Sequence, residues 1–323
     1  MTPMISVVVP CYNAERYIAA TLESVLAQIA VRWEAIVIDD GSTDNSLEIV
    51  KAIALRFDGR LRVVSGPNLG VSAARNAGTE MALGQFIQYL DADDLLRPGT
   101  LARRLECLSE NSGCEVAYCD WQRLAEQPDG SFQAGKVESR SMEDVHPRAD
   151  IALFTRFWCP PAALLYRSTV VDRIGGWRTN LPVIQDARFA LDAALQGARF
   201  VQVPGVGADY RDHLRSSLSK RDPVAFVRDV LQNACEIEQI WRANGELGAD
   251  QISALTGAYD YAARSLLAAD PTMFKVCIAH LQALRTLQPF SYPSLAKLLL
   301  PLLGARLTSL TLESAIALRR RIK

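Results

Sequence analysis

The sequence predicts an α/β fold, a mostly parallel central sheet with helices on both faces, followed by a helical C-terminal region. Three observations predict it. The first 120 residues alternate short β-branched apolar runs with segments of helical period, as parallel strands joined by crossover helices do. The apolar runs are continuous rather than alternating, as in strands buried on both faces. Beyond about Pro223 no period of two recurs, and the segments read as helical.

The elements follow in order. The run ISVVVP (Ile5 to Pro10) is a first strand, and Ile18, Leu22, Val25, Leu26 and Ile29 lie at helical spacing after it. WEAIVIDD (Trp33 to Asp40) is a second strand. Ser42 or Thr43 can cap the helix that carries Leu47, Val50 and Ile53. LRVVSG (Leu61 to Gly66) is a third strand, Ser72 to Leu83 a helix, and QFIQYLD (Gln85 to Asp91) a fourth strand. Residues 121 to 150 are polar and carry Pro128, Asp129, Gly130 and Gly135, which predicts a hairpin or a mobile loop. PAALLYR then reads as a strand, Ser168 as the cap of a short helix ending at Gly175-Gly176, and IQDARFALDAALQG as a helix. LARRL, RSLLAAD and LLLPLLGARLTSL read as parts of amphipathic segments.

Composition bounds the function. The 323 residues are 49% hydrophobic and 22% charged, an ordinary globular balance, and the net charge of −1 gives no general electrostatic case for nucleic acid. Seven cysteines is an odd number, and their spacing suits neither a zinc site nor a disulfide framework. Reduced, mostly buried thiols are expected, which favours a cytoplasmic location. The N-terminal stretch MTPMISVVVPCYNAERY lacks the basic start of a signal peptide. No run approaches the roughly 20 apolar residues of a membrane helix. LLLPLLGA is broken by Pro301 and bounded by Lys297 and Arg306.

Chemistry concentrates at three strand ends. The first strand ends in Pro10-Cys11-Tyr12-Asn13, the second in Asp39-Asp40-Gly41-Ser42, the fourth in Asp91-Ala92-Asp93-Asp94. Open α/β sheets bind ligands beyond the carboxyl ends of their strands, so five carboxylates converge on one edge. A single D-x-D is ordinarily a solvated capping loop. Two acidic strand ends beside a third polar one point instead to a divalent cation, Mg²⁺ or Mn²⁺, bridging to phosphate oxygens. No G-x-G-x-x-G follows the first strand and no G-x-x-x-x-G-K-[ST] occurs, so the dinucleotide fingerprint fails and nothing points to a P-loop ATPase.

SVVVPCYNAERYIAATLESVLAQ, WEAIVIDDGSTDNS, NLGVSAARNAG and YLDADD resemble the successive signatures of family 2 inverting glycosyltransferases, which have the A-type nucleotide-sugar-binding fold. The resemblance runs from Ile5 to about Ser219. It implies that Pro10, Tyr12 and Asp40 line a nucleobase and ribose pocket and that Arg75 reaches the base or phosphate side. Asp91 and Asp93 would form the D-x-D on the donor and metal side, with Asp93 the direct metal ligand and Asp39 and Asp94 in support. GGWRTNLPVIQDARFALDAALQG resembles the acceptor-side motif. There Trp177 would form an aromatic wall and Asp186 would be the general base, while Gln185 stands where relatives commonly carry an acid. YRDHLRSSLS resembles the closing motif, with His213 a further metal ligand and Arg211 set to neutralise a diphosphate. Ser216, Ser217 and Ser219 would belong to a loop that orders over bound nucleotide. Asp192 is expected at the surface, and His146 and His280 at the surface or in packing.

The implied activity moves a single sugar from a nucleotide-diphosphate-sugar donor to a hydroxyl of a glycan or lipid-linked acceptor, in cell-envelope or extracellular polysaccharide synthesis. The catalytic domain would span residues 1–222, with a nucleotide-sugar half to about residue 120 and an acceptor half from about residue 150, before a helical extension over 223–323. The basic tail ALRRRIK allows peripheral contact with the inner face of a membrane, although a packed helix with a solvated end explains it equally simply. A processive synthase would add membrane helices and a Q-x-x-R-W motif, which this sequence lacks. The alternative from another class is a non-catalytic nucleotide-sugar-binding scaffold or regulator.

Overall fold

All seven residues of β1 (Ile5–Cys11) are buried, as are all seven of β2 (Trp33–Asp39), so the continuous apolar runs do form strands covered on both faces. The computed structural model describes residues 3–214, 222–267 and 269–285. These fall into two compact units, Met1–Ser217 and Leu218–Lys323.

In the first unit α1 (Ile18–Leu26) joins β1 to β2. α2 (Ser46–Ala54) leads to β3 (Leu61–Ser65), and α3 (Val71–Glu80) leads to β4 (Phe86–Tyr89). Then come β5 (Leu95–Leu96), α4 (Thr100–Glu110), β6 (Val116–Glu126), β7 (Phe132–Glu138), α5 (Met142–Val145) and α6 (Ala149–Thr155). β8 (Leu164–Arg167), α7 (Ser168–Ile174), α8 (Gln185–Leu195) and β9 (Phe200–Asp212) complete it. One sheet runs β3-β2-β1-β4-β8-β6-β9-β5, with β7 paired to β6. The pairs β3–β2, β2–β1, β1–β4 and β6–β9 are parallel. The pairs through β8, β5 and β7 are antiparallel, so the fold class holds with a mixed second half.

The strand order positions the site. The chain steps outward from β1 to β3 and then returns to place β4 on the other side of β1. Right-handed crossovers therefore put α1 and α2 on one face and α3 on the other, and the reversal opens a crevice beyond the carboxyl ends of β1 and β4. Gly78 lets α3 approach closely, since a Cβ there would lie 2.5 Å from Val8 Cγ1.

Details differ from the sequence reading for physical reasons. α2 starts at Ser46, whose amide and hydroxyl both bond Asp44 Oδ1, so neither Ser42 nor Thr43 is its cap. Ser168 is already the first helical residue and Arg167 the cap position. The polar stretch after residue 120 does form a hairpin, but its first strand begins at Val116. β9, 13 residues long, carries Pro204, Gly205 and Gly207, which break any strand period in the sequence. Its pairing with β6 shifts register around Asp120, whose carboxylate accepts the Gly205 amide at 3.2 Å.

The second unit consists, among the described residues, of α9 (Pro223–Ala243), α10 (Ala249–Leu266) and α11 (Pro271–Ala283). Asp222 and Asp270 cap α9 and α11, each followed by proline at the first helical position. The three helices meet at Glu238, which is 5% exposed. Arg242 donates twice to its Oε1, while the Tyr259 hydroxyl at 2.6 Å and His280 Nδ1 at 2.8 Å meet its Oε2. The His280 ring also stacks on Tyr259, so His280 is a packing residue. The tail ALRRRIK and the LLLPLLGA run lie outside the described residues. No described helix is long and apolar enough to cross a membrane.

Burial pushes the Glu238 carboxyl up, but Tyr259, Arg242 and His280 outweigh it and hold it below the usual range. Stability from this group is therefore present above the unfolded value of roughly 4.3 and lost as pH falls through the lower folded value. Glu238→Gln is expected to cost about 1–3 kcal/mol at neutral pH. In urea unfolding followed by circular dichroism, its deficit against wild type should narrow on acidification below that range. A deficit independent of pH would contradict the charge assignment.

Candidate active site

Side chains zip the ends of β1 and β2 together. Asn13 Oδ1 accepts the Thr43 amide at 2.8 Å, the Asn13 amide donates to Ser42 Oγ, and the Ala14 amide donates to Ser46 Oγ. Pro10 is buried within β1, whereas Tyr12 just beyond it is 50% exposed. Asp39 accepts from the Ser42 amide and from the Ser65 hydroxyl. Asp40 accepts the Leu69 amide at 2.7 Å and the Gly70 amide at 2.9 Å, which fixes the loop entering α3. Asp39 thus organises its own turn, and Asp40 shapes the wall beside Tyr12 with a carboxylate already bonded to backbone.

Each of the three carboxylates beyond β4 has its own partner. Asp91 pairs with Arg75 of α3, whose side chain is 2% exposed. Asp93 Oδ2 lies 2.9 Å from His213 Nε2. Asp94 Oδ1 accepts the Arg211 amide at 2.9 Å, and the Arg211 guanidinium donates to the Asp93 carbonyl. The Thr21 hydroxyl on α1 bonds the carbonyls of Ala92 and Asp94 at 2.8 and 2.9 Å, tying the loop to the sheet. β5 pairs antiparallel with β9, Leu95 against Asp209, which carries Arg211 and His213 over the acidic loop.

The partners do not remove the repulsion. Burial raises the Asp91 carboxyl against the pull of Arg75, and the charges of Asp93 and Asp186 raise it further. Burial and the charges of Asp93 and Asp91 hold Asp94 well above the usual range. Among the described residues, Asp94 Oδ2 and Arg75 Nε and Nη1 are buried without a hydrogen-bond partner. No three His, Cys, Asp or Glu side chains among those residues are arranged to hold a metal ion unaided.

Asp186 opens α8 and turns toward this cluster, close enough for its charge to act on Asp91 and Tyr210. Its Oδ2 accepts Trp158 Nε1 at 2.9 Å and its Oδ1 the Ala187 amide at 2.8 Å. Gln185 beside it is buried, with Oε1 unpartnered among the described residues. Trp177, expected as an aromatic wall on the acceptor side, lies inside the structure. It is 5% exposed, stacked on Phe189 at 4.1 Å and 5°, with the Arg75 guanidinium over its other side at 4.1 Å. The turn before it requires glycine, because Gly176 has φ +104 and a Cβ would meet Asn76 Oδ1 at 2.9 Å. Asn76 in turn bonds both the amide and the carbonyl of Trp177. Trp177 therefore acts by seating Arg75. Asp192 is buried rather than at the surface, paired with Arg178 and Arg188.

Three groups to which the sequence assigned no role belong to the same place. Trp158, Trp121 and Tyr210 form a mutual edge-to-face cluster with centroids 5.3 to 5.5 Å apart beside Asp186. Tyr17 and Phe132 flank His213 and Arg211. Glu126 Oε2 lies 3.8 Å from His213 Nδ1. Ser216, Ser217 and Ser219 of the closing motif lie outside the described residues.

Comparison with known proteins matches residues 6–138 to the model of glycosyl transferase family 2. A putative teichuronic acid biosynthesis glycosyltransferase of Bacillus subtilis, TuaG, is 37% identical over 125 residues, 38% of this chain and 49% of that protein. The uncharacterized glycosyltransferase EpsJ of the same organism is 31% identical over 204 residues, 62% of this chain and 57% of the relative. The chain thus spans about half the length of these curated relatives. Among solved structures, Staphylococcus aureus TarS 1–349 in complex with UDP-GlcNAc superposes with a TM-score of 0.69 at 21% identity, covering 98% of this chain and 91% of that one. The mannosyltransferase PcManGT from Pyrobaculum calidifontis, in complex with GDP-Man and Mn²⁺, gives 0.58 at 20% identity, over 98% and 81%. These likenesses establish the fold.

Breaking one partner of a buried ion pair leaves the other charge uncompensated. Arg75→Met is expected to cost about 3 kcal/mol. Adding Asp91→Asn should recover part of that loss in a double-mutant cycle of denaturant midpoints. Additive losses would mean that the pair is not coupled.

Proposed function

We propose that this chain is an inverting glycosyltransferase that moves one sugar from a nucleotide-diphosphate-sugar to a hydroxyl of a glycan or lipid-linked acceptor. The observation that carries the reading is the convergence of Asp91, Asp93, Asp94, His213 and Asp186 at the topological switch beyond β1 and β4. The match of residues 6–138 to family 2 supports the reaction class, and TarS with UDP-GlcNAc supports a nucleotide-sugar donor. The name of TuaG supports a place in cell-envelope polysaccharide synthesis. The catalytic domain is assigned to residues 1–222 and a C-terminal extension to 223–323, helical over its described residues. The working location is the cytoplasm or the inner face of the membrane.

A divalent cation fits the donor set. Mg²⁺ and Mn²⁺ take hard oxygen ligands, and such ions are commonly held by one or two side chains plus substrate phosphates, so a ready-made group of three is not required. Asp93 and His213 are the assigned ligands. The unpartnered Asp94 oxygen, beside the charges of Asp91 and Asp93 that act on Asp94 after burial does, suits a cation. When bound, the ion would supply charge neutralisation for a leaving diphosphate. PcManGT was solved with Mn²⁺.

The chain's own groups supply the rest. Asp40 and Tyr12 shape the base side, and Arg75 holds Asp91 in place. Arg211 adds positive charge at the Asp93 carbonyl. Asp186 is assigned as the base that takes the acceptor hydroxyl's proton. Its second oxygen is fixed by Trp158, which orients the carboxylate. The buried Gln185, in place of the acid common in relatives, favours one rival: a nucleotide-sugar-binding scaffold without turnover.

A panel of UDP- and GDP-sugars, assayed for nucleoside diphosphate release with and without Mn²⁺, separates the two readings. Release that depends on Mn²⁺ is expected, and binding without release would favour the scaffold. Asp186→Asn should retain donor affinity while turnover falls roughly 10²–10⁴-fold. Turnover equal to wild type would remove Asp186 from the mechanism.

A further inference from the structure

We infer that Glu126 is a positioning residue that turns the metal-facing nitrogen of His213 inward, an inference that rests on the metal-assisted reading above. The placement follows from strand register. β6 pairs in parallel with β9, with Leu124 opposite Arg211 and Ala125 opposite Asp212. One step further, Glu126 ends β6 where His213 follows β9. On its other side Glu126 is paired with Phe132 of β7. A transverse row Phe132–Glu126–His213 thus crosses three neighbouring segments.

Glu126 has a defined job within that row. Its Oε2 accepts the Leu214 amide at 2.9 Å, which holds the backbone immediately after His213. The same oxygen lies 3.8 Å from His213 Nδ1, within ion-pair reach although longer than a hydrogen bond. The opposite ring nitrogen, Nε2, meets Asp93 Oδ2 at 2.9 Å. The ring is confined laterally by Tyr17, 5.1 Å away, and by the edge of Phe132 at 5.5 Å. Both side chains are largely withdrawn from water, 7% exposed for His213 and 15% for Glu126, so solvent screens their interaction weakly.

The two ring nitrogens of histidine are not equivalent. Nε2 now meets Asp93; when a cation takes that place, the carboxylate facing Nδ1 holds the proton there and leaves the Nε2 lone pair to the ion. The ligating imidazole of a metal site almost always has such an outer partner, and loss of that partner typically costs 10–100-fold in metal affinity. Glu126 is the carboxylate on the Nδ1 side and Asp93 the one on the Nε2 side.

The experiment uses the full chain and Glu126→Gln, which keeps an oxygen for the Leu214 amide and removes the charge. Binding of UDP, GDP, CDP and ADP is titrated calorimetrically with and without Mn²⁺. The expected result is a loss of about 10–100-fold in the Mn²⁺-dependent affinity, with metal-free nucleotide binding and the thermal midpoint unchanged. His213→Ala is the parallel control. Wild-type behaviour of Glu126→Gln alongside loss in His213→Ala overturns the inference and leaves the metal reading standing. An equal drop with and without Mn²⁺ also overturns it, since Glu126 would then serve the nucleotide pocket or the fold. Absence of any Mn²⁺-dependent binding by the wild-type chain overturns both together.

Discussion

The constraint on which the first unit depends is the mutual repulsion of Asp91, Asp93 and Asp94 at the end of β4. Burial sharpens it, because charges withdrawn from water repel more strongly and are hydrated less. The chain meets it by giving each carboxylate a partner from a different part of the sequence. Arg75 comes from α3, the Arg211 amide from β9 and His213 from just beyond it. Much of the local architecture serves these three contacts. Trp177, stacked on Phe189, seats Arg75, and Asn76 fixes the Gly175-Gly176 turn that delivers Trp177. β5 and β6 brace β9 so that its end arrives over the acidic loop.

Arg104 shows a different treatment of a buried charge. Its guanidinium is fully buried, donating to Gln88, Thr100 and the Ala162 carbonyl. Burial lowers its pKa, but neutral acceptors satisfy its donors well enough to keep it in place. It clamps α4 to β4 and to the segment before β8. The contrast is informative. At Arg104 the charge is surrounded by neutral acceptors. At the strand ends, acidic groups are left in surplus, with one carboxylate oxygen unpartnered among the described residues. Surplus of one sign at a crevice is the arrangement suited to a ligand of the other sign.

Legibility from sequence followed the range of the determining contacts. The first four strands and the three helices between them were readable because period and burial agree, as in β1 and β2. The carboxylates were readable because strand ends are local features. β9 was not, because Pro204 and Gly205 interrupt its pattern and its strand character comes from pairing with β6 and β5. Asp192 read as surface because nothing nearby in sequence announces that Arg178 turns back onto it. Trp177 was placed as an aromatic wall by resemblance, and its burial under Tyr89, Phe189 and Arg75 depends on contacts distant in sequence. Trp158 and Glu126 carried no motif. Their partners, Asp186 and Leu214, lie 28 and 88 residues away, and only the fold brings them together.

Under the proposed function, these internal contacts also set the terms of ligand affinity. Asp93 and His213 touch each other directly, and Arg211 donates to the Asp93 carbonyl. A cation held by Asp93 and His213 exchanges one favourable contact for another, so the net gain is the difference and not the sum. That difference is largest for a cation that arrives with a diphosphate, which meets the positive charge of Arg211 while the ion meets the carboxylates. Neither component alone resolves both imbalances, because a bare anion faces the aspartates and a bare cation faces Arg211 and Arg75. Under that reading, cooperation between ion and diphosphate would follow from the distribution of charge around the crevice, and the pair, rather than the sugar, would be the first determinant of donor binding.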